Sequence, residues 1–398
     1  MTPQLAPGRR CRPALATTEP APPPTGDPAD DAIHKVHVEV TTRCNLDCAM
    51  CVRHVWQEPP GDMSADTFGA LVEQLAALPG PQTVQLAGFG EPLLHPAVLT
   101  FIGQAAAAGI ATELVTNGAL LTVPLGLELL EVGLQHLILS VGGPGEGCAS
   151  SPGLDPEVRR TLVKLRRATF VGGALWPLVT IHVVIGHSNL PLLGGLRSLA
   201  GAVGAQRISV SHLLPHTPEM AEEALFGARL PACSEAGDRG GTPHSPEVAL
   251  PPMEWRPAEA QALGKLLAGQ SPVTMGRTRL DLGGSFCPFV QEGRLAINWR
   301  GEVAPCLPLL HTHEVVTRGR TRAVREWLLG SIRQAPLPHL WAEPAYVAFR
   351  ERVRRFAFPP CPECGTCELA LSNETDCFGN PFPTCGDCLY ARGLVRCP

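Results

Sequence analysis

Hydrophobic residues follow two different periods along the first half of the chain. Six short runs are rich in β-branched and other apolar residues, as in buried strands. Between them apolar residues recur every three or four positions, which predicts helices. The strands are predicted at residues 35–40, 83–86, 111–116, 136–141, 178–185 and 207–212. The helices are predicted after the capping residue Ser64, over 96–108, over 123–132 and from 156 onward.

This alternation of strands and helices predicts an α/β fold. Strands that alternate with helices form a parallel sheet with right-handed crossovers. In such a fold the loops at the carboxyl ends of the strands carry the functional residues. We therefore expect the chemistry of this protein where its predicted strands end.

Composition changes along the rest of the chain. The beginning is rich in Pro, Ala and Asp without an apolar period, which predicts disorder. A later stretch is irregular apart from one short helix near residues 257–267. The last third is rich in cysteine and contains a predicted hairpin, opened by Cys287, in which Gly293 and Gly301 mark turns. The predicted organisation is a disordered leader at 1–33, an α/β domain at 34–215, a connector at 216–280 and a cysteine-rich domain at 281–398.

Three cysteines follow the first predicted strand. Cys44, Cys48 and Cys51 have a C-x3-C-x2-C spacing, and a loop at a strand end can turn three thiolates toward one point. A four-iron cluster held by only three cysteines keeps one iron open for another ligand. The alternative is a structural zinc site, for which His54 is the only nearby fourth ligand.

The C-x3-C-x2-C spacing resembles that of the radical S-adenosylmethionine (SAM) enzymes. The resemblance implies a 4Fe–4S cluster whose open iron binds SAM, in a partial (β/α)6 barrel. It also implies a low-potential electron donor such as ferredoxin or flavodoxin. One electron splits SAM into methionine and a 5′-deoxyadenosyl radical, which abstracts a hydrogen atom from a substrate.

Other predicted strand ends resemble the SAM-binding motifs of the same family. Gly88-Phe89-Gly90-Glu91-Pro92 is similar to the Gly-Gly-Glu-Pro motif, in which Glu91 would accept a hydrogen bond from the SAM ammonium. Ser140 lies in Ser-Val-Gly-Gly, where relatives have Ser-x-Asp-Gly, and Asn117-Gly118 is equally typical of a turn. The SAM contacts implied by the resemblance are Gly88, Gly90, Glu91, Pro92, Asn117, Ser140, Gly186 and Asn189.

Nine cysteines crowd the last third of the chain. Cys287, followed by Gly301 and four residues later by Cys306, resembles the beginning of a SPASM domain, which carries one or two auxiliary 4Fe–4S clusters. Two closed clusters need eight thiolates, and a zinc ribbon is the alternative. The assignment of ligands to clusters stays open. The candidate ligands are Cys287, Cys306, Cys361, Cys364, Cys367, Cys377, Cys385, Cys388 and Cys397.

The tail, residues 373–398, is similar to that of maturases (cofactor-modifying proteins) of tungsten-containing aldehyde ferredoxin oxidoreductases. The resemblance implies that the substrate is such an oxidoreductase or its pterin cofactor precursor. A radical SAM enzyme that crosslinks or oxidises a peptide or protein is the alternative. A third interpretation is a non-catalytic iron–sulfur electron carrier, which would not need a barrel of this size.

Charge and cysteine content limit the partners and the compartment. The chain has 398 residues with a net charge of −5, and no basic tract indicates nucleic acid or a membrane surface. Residues 168–186 lack Asp, Glu, Lys and Arg, but Gly172-Gly173 and Pro177 interrupt them, which favours a helix, a loop and a strand. Without a recognisable signal peptide, fifteen cysteines favour metal binding in a reducing cytoplasm. Cys11, Cys148 and Cys233 receive no role.

Overall fold

The computed structural model describes residues 31–56, 58–80, 82–142, 154–172, 177–226, 247–250, 273–275, 287–317, 319–359 and 367–395. The predicted helix at 257–267 and most of the predicted leader fall outside these residues. So do Cys11, Cys148, Cys233, Cys361, Cys364 and Cys397. The chain divides into the units Met1–Asp31 and Ala32–Pro398. Ile33, the last residue of the predicted disordered leader, is buried in the core of the second unit.

The six predicted strands form one parallel sheet. Each of them pairs in parallel with the next strand along the chain. Parallel neighbours require crossover connections, and helices supply them. This confirms the predicted α/β sheet. The strands are β1 (Lys35–Glu39), β2 (Thr83–Ala87), β3 (Ala111–Thr116), β4 (His136–Ser140), β5 (Leu178–Ile185) and β6 (Arg207–His212).

Several of the helices that follow these strands begin after a residue whose side chain caps them. Ser64 Oγ accepts a hydrogen bond from the Thr67 amide at 3.1 Å, as its position before the apolar period predicted. The turn at Leu190–Gly195 and the helix after it were not predicted. The helices are α1 (Ala65–Ala76), α2 (Val98–Ala107), α3 (Val123–Glu131), α4 (Pro156–Gly172), α5 (Leu196–Val203) and α6 (Pro218–Glu222).

The stretch 216–280, expected to be irregular apart from one helix, also extends the sheet. Strands β7 (Glu247–Leu250) and β8 (Val273–Met275) continue it in parallel beyond β6. Strands of three or four residues are too short to show a period of two in this proline-rich sequence, so the expectation was wrong there.

The C-terminal third attaches to the other edge of the sheet. Strand β9 (Arg294–Ile297) pairs in parallel with β1 and antiparallel with β10 (Glu302–Ala304). Gly301 makes the turn between them at φ +81°. Cys287 itself lies directly before a short helix, α7 (Pro288–Gln291), and Gly293 joins this helix to β9, so Cys287 does not open the hairpin as predicted. The remaining elements are β11 (His313–Thr317), β12 (Arg320–Val324), β13 (Gly330–Ser331), α8 (Leu337–Trp341) and α9 (Pro344–Arg355).

The two faces of the sheet differ in polarity. Val36 and Val38 of β1 are buried in the main hydrophobic core with residues of α1 and α2. The opposite face carries hydrogen-bonded polar residues, including His37 Nδ1 with Gln85 Oε1 at 2.6 Å and Gln85 Nε2 with Glu113 Oε2 at 2.9 Å. A buried polar face next to an apolar one is expected where a parallel sheet curves around an enclosed site.

Among the described residues, no helix combines the length and apolar character needed to cross a membrane. Within residues 168–186, α4 ends at Gly172 and β5 begins at Leu178. The predicted helix and strand are therefore confirmed on either side of the interrupting residues.

Candidate functional site

The three-cysteine loop leaves the carboxyl end of β1 and is fixed at its base. Thr41 Oγ1 donates a hydrogen bond to Asp62 Oδ1 at 2.6 Å, and Arg43 forms an ion pair with Asp62 at 2.6 Å. Asp62 lies just before α1, so these contacts join the two ends of the loop. The first and last residues of the loop are therefore held next to each other at the carboxyl end of β1.

Protein donors point toward the thiols of this loop. Arg53 Nε lies 3.2 Å from Cys51 Sγ, and its other guanidinium nitrogens donate to the carbonyls of Thr42 at 3.3 Å and Leu46 at 3.1 Å. The Leu46 amide lies 3.5 Å from Cys44 Sγ. Arg53, which the sequence did not single out, braces the loop and places a positive charge beside two thiols.

His54, the possible fourth ligand of a zinc site, turns away from the thiols. Its Nε2 lies 3.0 Å from the Cys48 carbonyl oxygen and 3.5 Å from Asp47 Oδ1. The donor set of this loop is therefore three half-buried thiols without the imidazole. Such a set fits a four-iron cluster that keeps one iron open.

Burial raises the pKa of the Cys44 thiol, while the Leu46 amide and the positive charge of Arg53 oppose this effect. A bound iron would favour the thiolate far more strongly than these groups do. Cys44 is therefore suited to hold a metal and costly to ionise without one.

The Gly88–Pro92 turn, at the end of β2, packs directly on the cysteine loop. The Glu91 amide donates to the Arg43 carbonyl at 2.8 Å. A Cβ added at Gly90 would lie 2.0 Å from the Thr41 carbonyl oxygen. Only glycine at residue 90 lets the two loops approach so closely.

Glu91 is a buried carboxylate already bonded to three protein donors. Its Oε1 accepts from the Leu93 amide at 3.0 Å and from Thr116 Oγ1 at 2.7 Å, and its Oε2 accepts from the Asn117 amide at 2.8 Å. A carboxylate has about four acceptor positions, and Glu91 uses three of them within the protein; its hydrogen bond with the SAM ammonium remains a prediction. Burial raises the pKa of Glu91, and the three hydrogen bonds oppose this rise.

The other predicted SAM contacts also lie at strand ends. Asn117, after β3, donates from Nδ2 to Asn45 Oδ1 at 2.9 Å, which brings it against the cysteine loop. Ser140 ends β4. Asn189, after β5, closes its own loop by accepting from the Gly186 amide and donating to the Val184 carbonyl, both at 2.8 Å. The contacts of these residues with SAM remain predictions.

Four late cysteines from distant parts of the sequence influence one another's ionisation. Burial raises the pKa of Cys287 to about 12, and a charge on Cys388 would add to this. Burial also raises the pKa of Cys306 and Cys385, and each is raised further by Cys287 and Cys388. Spacing alone did not predict this grouping of 287 and 306 with 385 and 388.

A positive charge lies beside this group. Arg322 of β12 is paired with Asp387 at 3.0 Å and favours the thiolate forms of Cys385 and Cys388. Four thiols of this kind fit a closed four-cysteine cluster. In the described ranges, no three His, Cys, Asp or Glu side chains converge closely enough to hold a single metal ion. Cys367 is half-buried and Cys377 is exposed, and the remaining late candidate ligands, Cys361, Cys364 and Cys397, lie outside the described residues.

One buried polar group at the same end of the barrel was missed entirely. Glu39, the last residue of β1, contacts His311 from the C-terminal third, and His311 contacts Glu58 from the loop before α1. The contact pairs lie 272 and 253 residues apart along the chain. No local pattern could have revealed it.

Comparison with known proteins identifies the two parts of the chain. The family model of the radical SAM superfamily matches residues 38–170, and that of the SPASM iron–sulfur cluster-binding domain matches residues 287–368. Two of the predicted resemblances are thereby confirmed. A radical SAM domain uses a 4Fe–4S cluster and SAM, and a SPASM domain binds auxiliary clusters, as predicted.

Individual relatives and one solved structure show how much of the chain is shared with other proteins. The chain is 27% identical over 373 residues to a tungsten-containing aldehyde ferredoxin oxidoreductase cofactor-modifying protein of Pyrococcus furiosus, covering 91% of this chain and 96% of the relative. It is 29% identical to a PqqA peptide cyclase of Gluconobacter oxydans, but over 44% of this chain and 48% of the cyclase. The structure of Streptococcus suis SuiB bound to the precursor peptide SuiA has a similar fold, with 14% identity, a TM-score of 0.53, and coverage of 80% of this chain and 67% of SuiB.

Proposed function

Since the chain is a radical SAM enzyme with a SPASM domain, we propose that it matures a tungsten-containing aldehyde ferredoxin oxidoreductase or the pterin cofactor of that enzyme. The non-catalytic carrier is set aside, because the chain contains the catalytic domain of an enzyme superfamily.

One observation carries this proposal. The similarity to the cofactor-modifying protein covers 91% of this chain and 96% of that protein, so it extends well beyond residues 38–170 and 287–368, which the two family models match. Similarity confined to a catalytic domain is compatible with many substrates, because function resides in sites added to a common fold. Similarity that also includes the parts outside that domain favours a shared substrate.

The described residues fit the first steps of such a reaction. Cys44, Cys48 and Cys51 would hold the cluster, which together with SAM supplies a 5′-deoxyadenosyl radical. Arg53 fixes the loop, and Gly90 allows the SAM-binding turn to pack on it. Glu91 joins this turn to the end of β3 by hydrogen bonds, so that the loops after β1, β2 and β3 are held in a fixed arrangement. Such fixed positioning is what a reactive radical requires.

The electrons for the reaction would come from a low-potential donor such as ferredoxin or flavodoxin. The cysteine content and the proposed clusters suit the reducing conditions of the cytoplasm, where we place the protein. The oxidoreductase or its cofactor precursor would be the other partner.

A deletion strain tests the proposal. Deleting this gene from cells that make an aldehyde ferredoxin oxidoreductase should leave the oxidoreductase inactive or its tungsten cofactor incomplete. The wild-type gene should restore activity, and a copy with Cys44, Cys48 and Cys51 replaced by Ala should not. Full activity and an unchanged cofactor mass in the deletion strain would exclude maturation.

A second candidate is modification of a peptide or protein by a thioether or carbon–carbon crosslink or by side-chain oxidation. It is favoured by the shared catalytic domain of a peptide cyclase and by the fold shared with SuiB. Radical formation is common to both candidates. The deletion strain separates them, because a peptide-modifying enzyme would leave the oxidoreductase unchanged.

A further inference from the structure

Three buried hydrogen-bond donors near the late cysteines have no acceptor among the described residues. They are the Nε groups of Arg322 and Arg352 and the hydroxyl of Tyr346. Buried donors are nearly always hydrogen-bonded, because leaving one unpaired is costly. The cysteines beside them, whose ionisation is coupled, form the four-cysteine group, which is Cys287, Cys306, Cys385 and Cys388.

Arg322 of β12 is held beside this group by a salt bridge. Its Nη1 lies 3.0 Å from Oδ2 of Asp387, the residue before Cys388, and its side chain is 8% exposed. Its positive charge favours the thiolate forms of Cys385 and Cys388. The salt bridge uses Nη1 and leaves the Nε–H group free to donate to another acceptor.

Arg352 reaches the same group from α9. Its Nη2 donates to the Pro383 carbonyl at 3.1 Å, two residues before Cys385. Its guanidinium carbon lies 5.4 Å from the centroid of the Phe358 ring. Burial lowers the pKa of Arg352, and a negative charge on Cys385 opposes this. A guanidinium buried with so few acceptors is suited to face an anion.

Tyr346, also on α9, supplies a donor without a charge. It is fully buried in the hydrophobic core against which Cys287 and Cys385 pack. The guanidinium of Arg350 lies 4.5 Å from the Tyr346 ring, but arginine only donates and cannot accept the hydroxyl proton. Burial raises the pKa of Tyr346, and negative charges on Cys306 and Cys287 raise it further. The hydroxyl therefore stays protonated and able to donate.

A bound cluster would supply the acceptors that these donors need. In the described part of the chain none of the three donors forms a hydrogen bond with a thiol of the four-cysteine group. A 4Fe–4S cluster presents sulfide ions as well as thiolates, and hydrogen bonds to its sulfur atoms help to set its reduction potential. The unpaired donors thus fit a cluster at this group better than they fit four thiols alone.

We propose that Arg322, Arg352 and Tyr346 donate hydrogen bonds to sulfur atoms of the auxiliary cluster held by the four-cysteine group and raise its reduction potential. The proposal concerns the cluster and holds for either candidate substrate. The three side chains would act through the cluster and are therefore positioning residues.

The direction of the effect follows from charge. Reduction adds one negative charge to a cluster that is already an anion, and hydrogen-bond donors stabilise the added charge. The charge of Arg322 is offset by Asp387, and that of Arg352 is partly offset by Asp376. Tyr346 is neutral. The raised potential is therefore assigned chiefly to the hydrogen bonds and less to net charge.

A purely structural role is the competing explanation. Arg322 is paired with Asp387, and Arg352 donates to the Pro383 carbonyl, so each side chain also holds a neighbouring segment in place. Such a role explains these contacts but not the unpaired donors. Its loss would change stability or iron content, and it would not change the potential of a cluster that still assembles.

The test is an anaerobic redox titration of the reconstituted full-length protein, followed by electron paramagnetic resonance (EPR). The signal of this cluster is the one that disappears when Cys306 and Cys385 are replaced with Ser. Tyr346→Phe keeps the ring and removes only the hydroxyl. It should make the one-electron reduction of this cluster about tenfold less favourable, which is a fall of about 59 mV.

The arginines are tested with matched controls. Arg352→Met should lower the potential, and so should Arg322→Met combined with Asp387→Asn, which avoids leaving an unpaired buried carboxylate. Arg325→Met and Arg355→Met remove exposed guanidinium groups close in sequence to these two residues and should leave the potential unchanged. A wild-type potential in Tyr346→Phe or in either arginine variant at full iron content, or an equal fall in the controls, would overturn the proposal.

Pulsed EPR tests the arginine contacts without any substitution. Arginine labelled with ¹⁵N in its guanidinium group would be incorporated into the wild-type protein, and the clusters would then be reduced. The signal assigned to this cluster should show magnetic coupling to guanidinium nitrogen. A signal without such coupling would overturn the proposal, even if a substituted protein failed to bind the cluster.

Discussion

Replacing Gly90 with alanine should separate the SAM-binding turn from the cysteine loop. The added Cβ would lie 2.0 Å from the Thr41 carbonyl oxygen, 2.7 Å from the Thr41 carbonyl carbon and 2.8 Å from the Arg43 carbonyl oxygen. All three contacts are with backbone, which cannot rotate away as a side chain can. The φ of Gly90 is not in the left-handed region, so the effect is one of space alone.

The expected cost follows from this geometry. Overpacking of a well-packed site costs about 1–3 kcal/mol, and more where neighbours cannot move. We expect Gly90→Ala to lower the free energy of unfolding by about 3 kcal/mol if the loops stay together. If the loops separate instead, the loss of stability will be smaller, but the Glu91–Arg43 hydrogen bond will break and SAM cleavage will be lost.

Gly69 supplies the matched control. It lies inside α1, and a Cβ there would meet nothing within 4 Å. Gly69→Ala should raise the free energy of unfolding by about 0.5–1 kcal/mol, because alanine favours a helix. Denaturant unfolding and 5′-deoxyadenosine formation would be measured on both variants. A Gly90→Ala protein with wild-type stability and wild-type SAM cleavage would refute the close packing of the two loops.

Three further changes test other parts of the site. Glu91→Gln replaces one carboxylate oxygen with an amide nitrogen, which cannot accept a hydrogen bond from the buried donors. Denaturant unfolding should show a loss of stability of about 1–3 kcal/mol; no loss would mean that the three hydrogen bonds are not made. His311→Asn should destabilise more at pH 6 than at pH 9. The pKa of His311 is raised in the folded state, so its contribution is complete below the unfolded pKa and is lost as pH rises through the folded value; an equal loss at both pH values would contradict this. Replacing Cys306 and Cys385 with Ser should reduce bound iron from about twelve to about eight atoms, four per cluster, while SAM cleavage continues; unchanged iron would disprove their shared cluster.

Sequence was sufficient wherever local pattern determines structure. Strands β3, β5 and β6 have their predicted limits, because each contains β-branched and other apolar residues and is bounded by turn or helix signals. The cysteine loop and the Gly88–Pro92 turn were also found at strand ends, as predicted. These features depend on residues that are neighbours in the chain.

The remaining features depend on residues that are distant in the chain. Nothing in the sequence around Glu39 distinguishes it from other residues of a strand. Only folding brings it into contact with His311, 272 residues away. Cys306 and Cys385 likewise have no spacing that pairs them. The short strands β7 and β8 gain their partners from the edge of the sheet and not from their own sequence.

The most direct test of the account is reductive SAM cleavage by the protein without Cys44, Cys48 and Cys51. Anaerobically reconstituted wild-type protein should bind about twelve irons in three clusters and, after reduction with dithionite, convert SAM to 5′-deoxyadenosine. The triple alanine variant should retain about eight irons and form no 5′-deoxyadenosine. Formation of 5′-deoxyadenosine by the triple variant would contradict the assignment of the SAM-binding cluster to this loop.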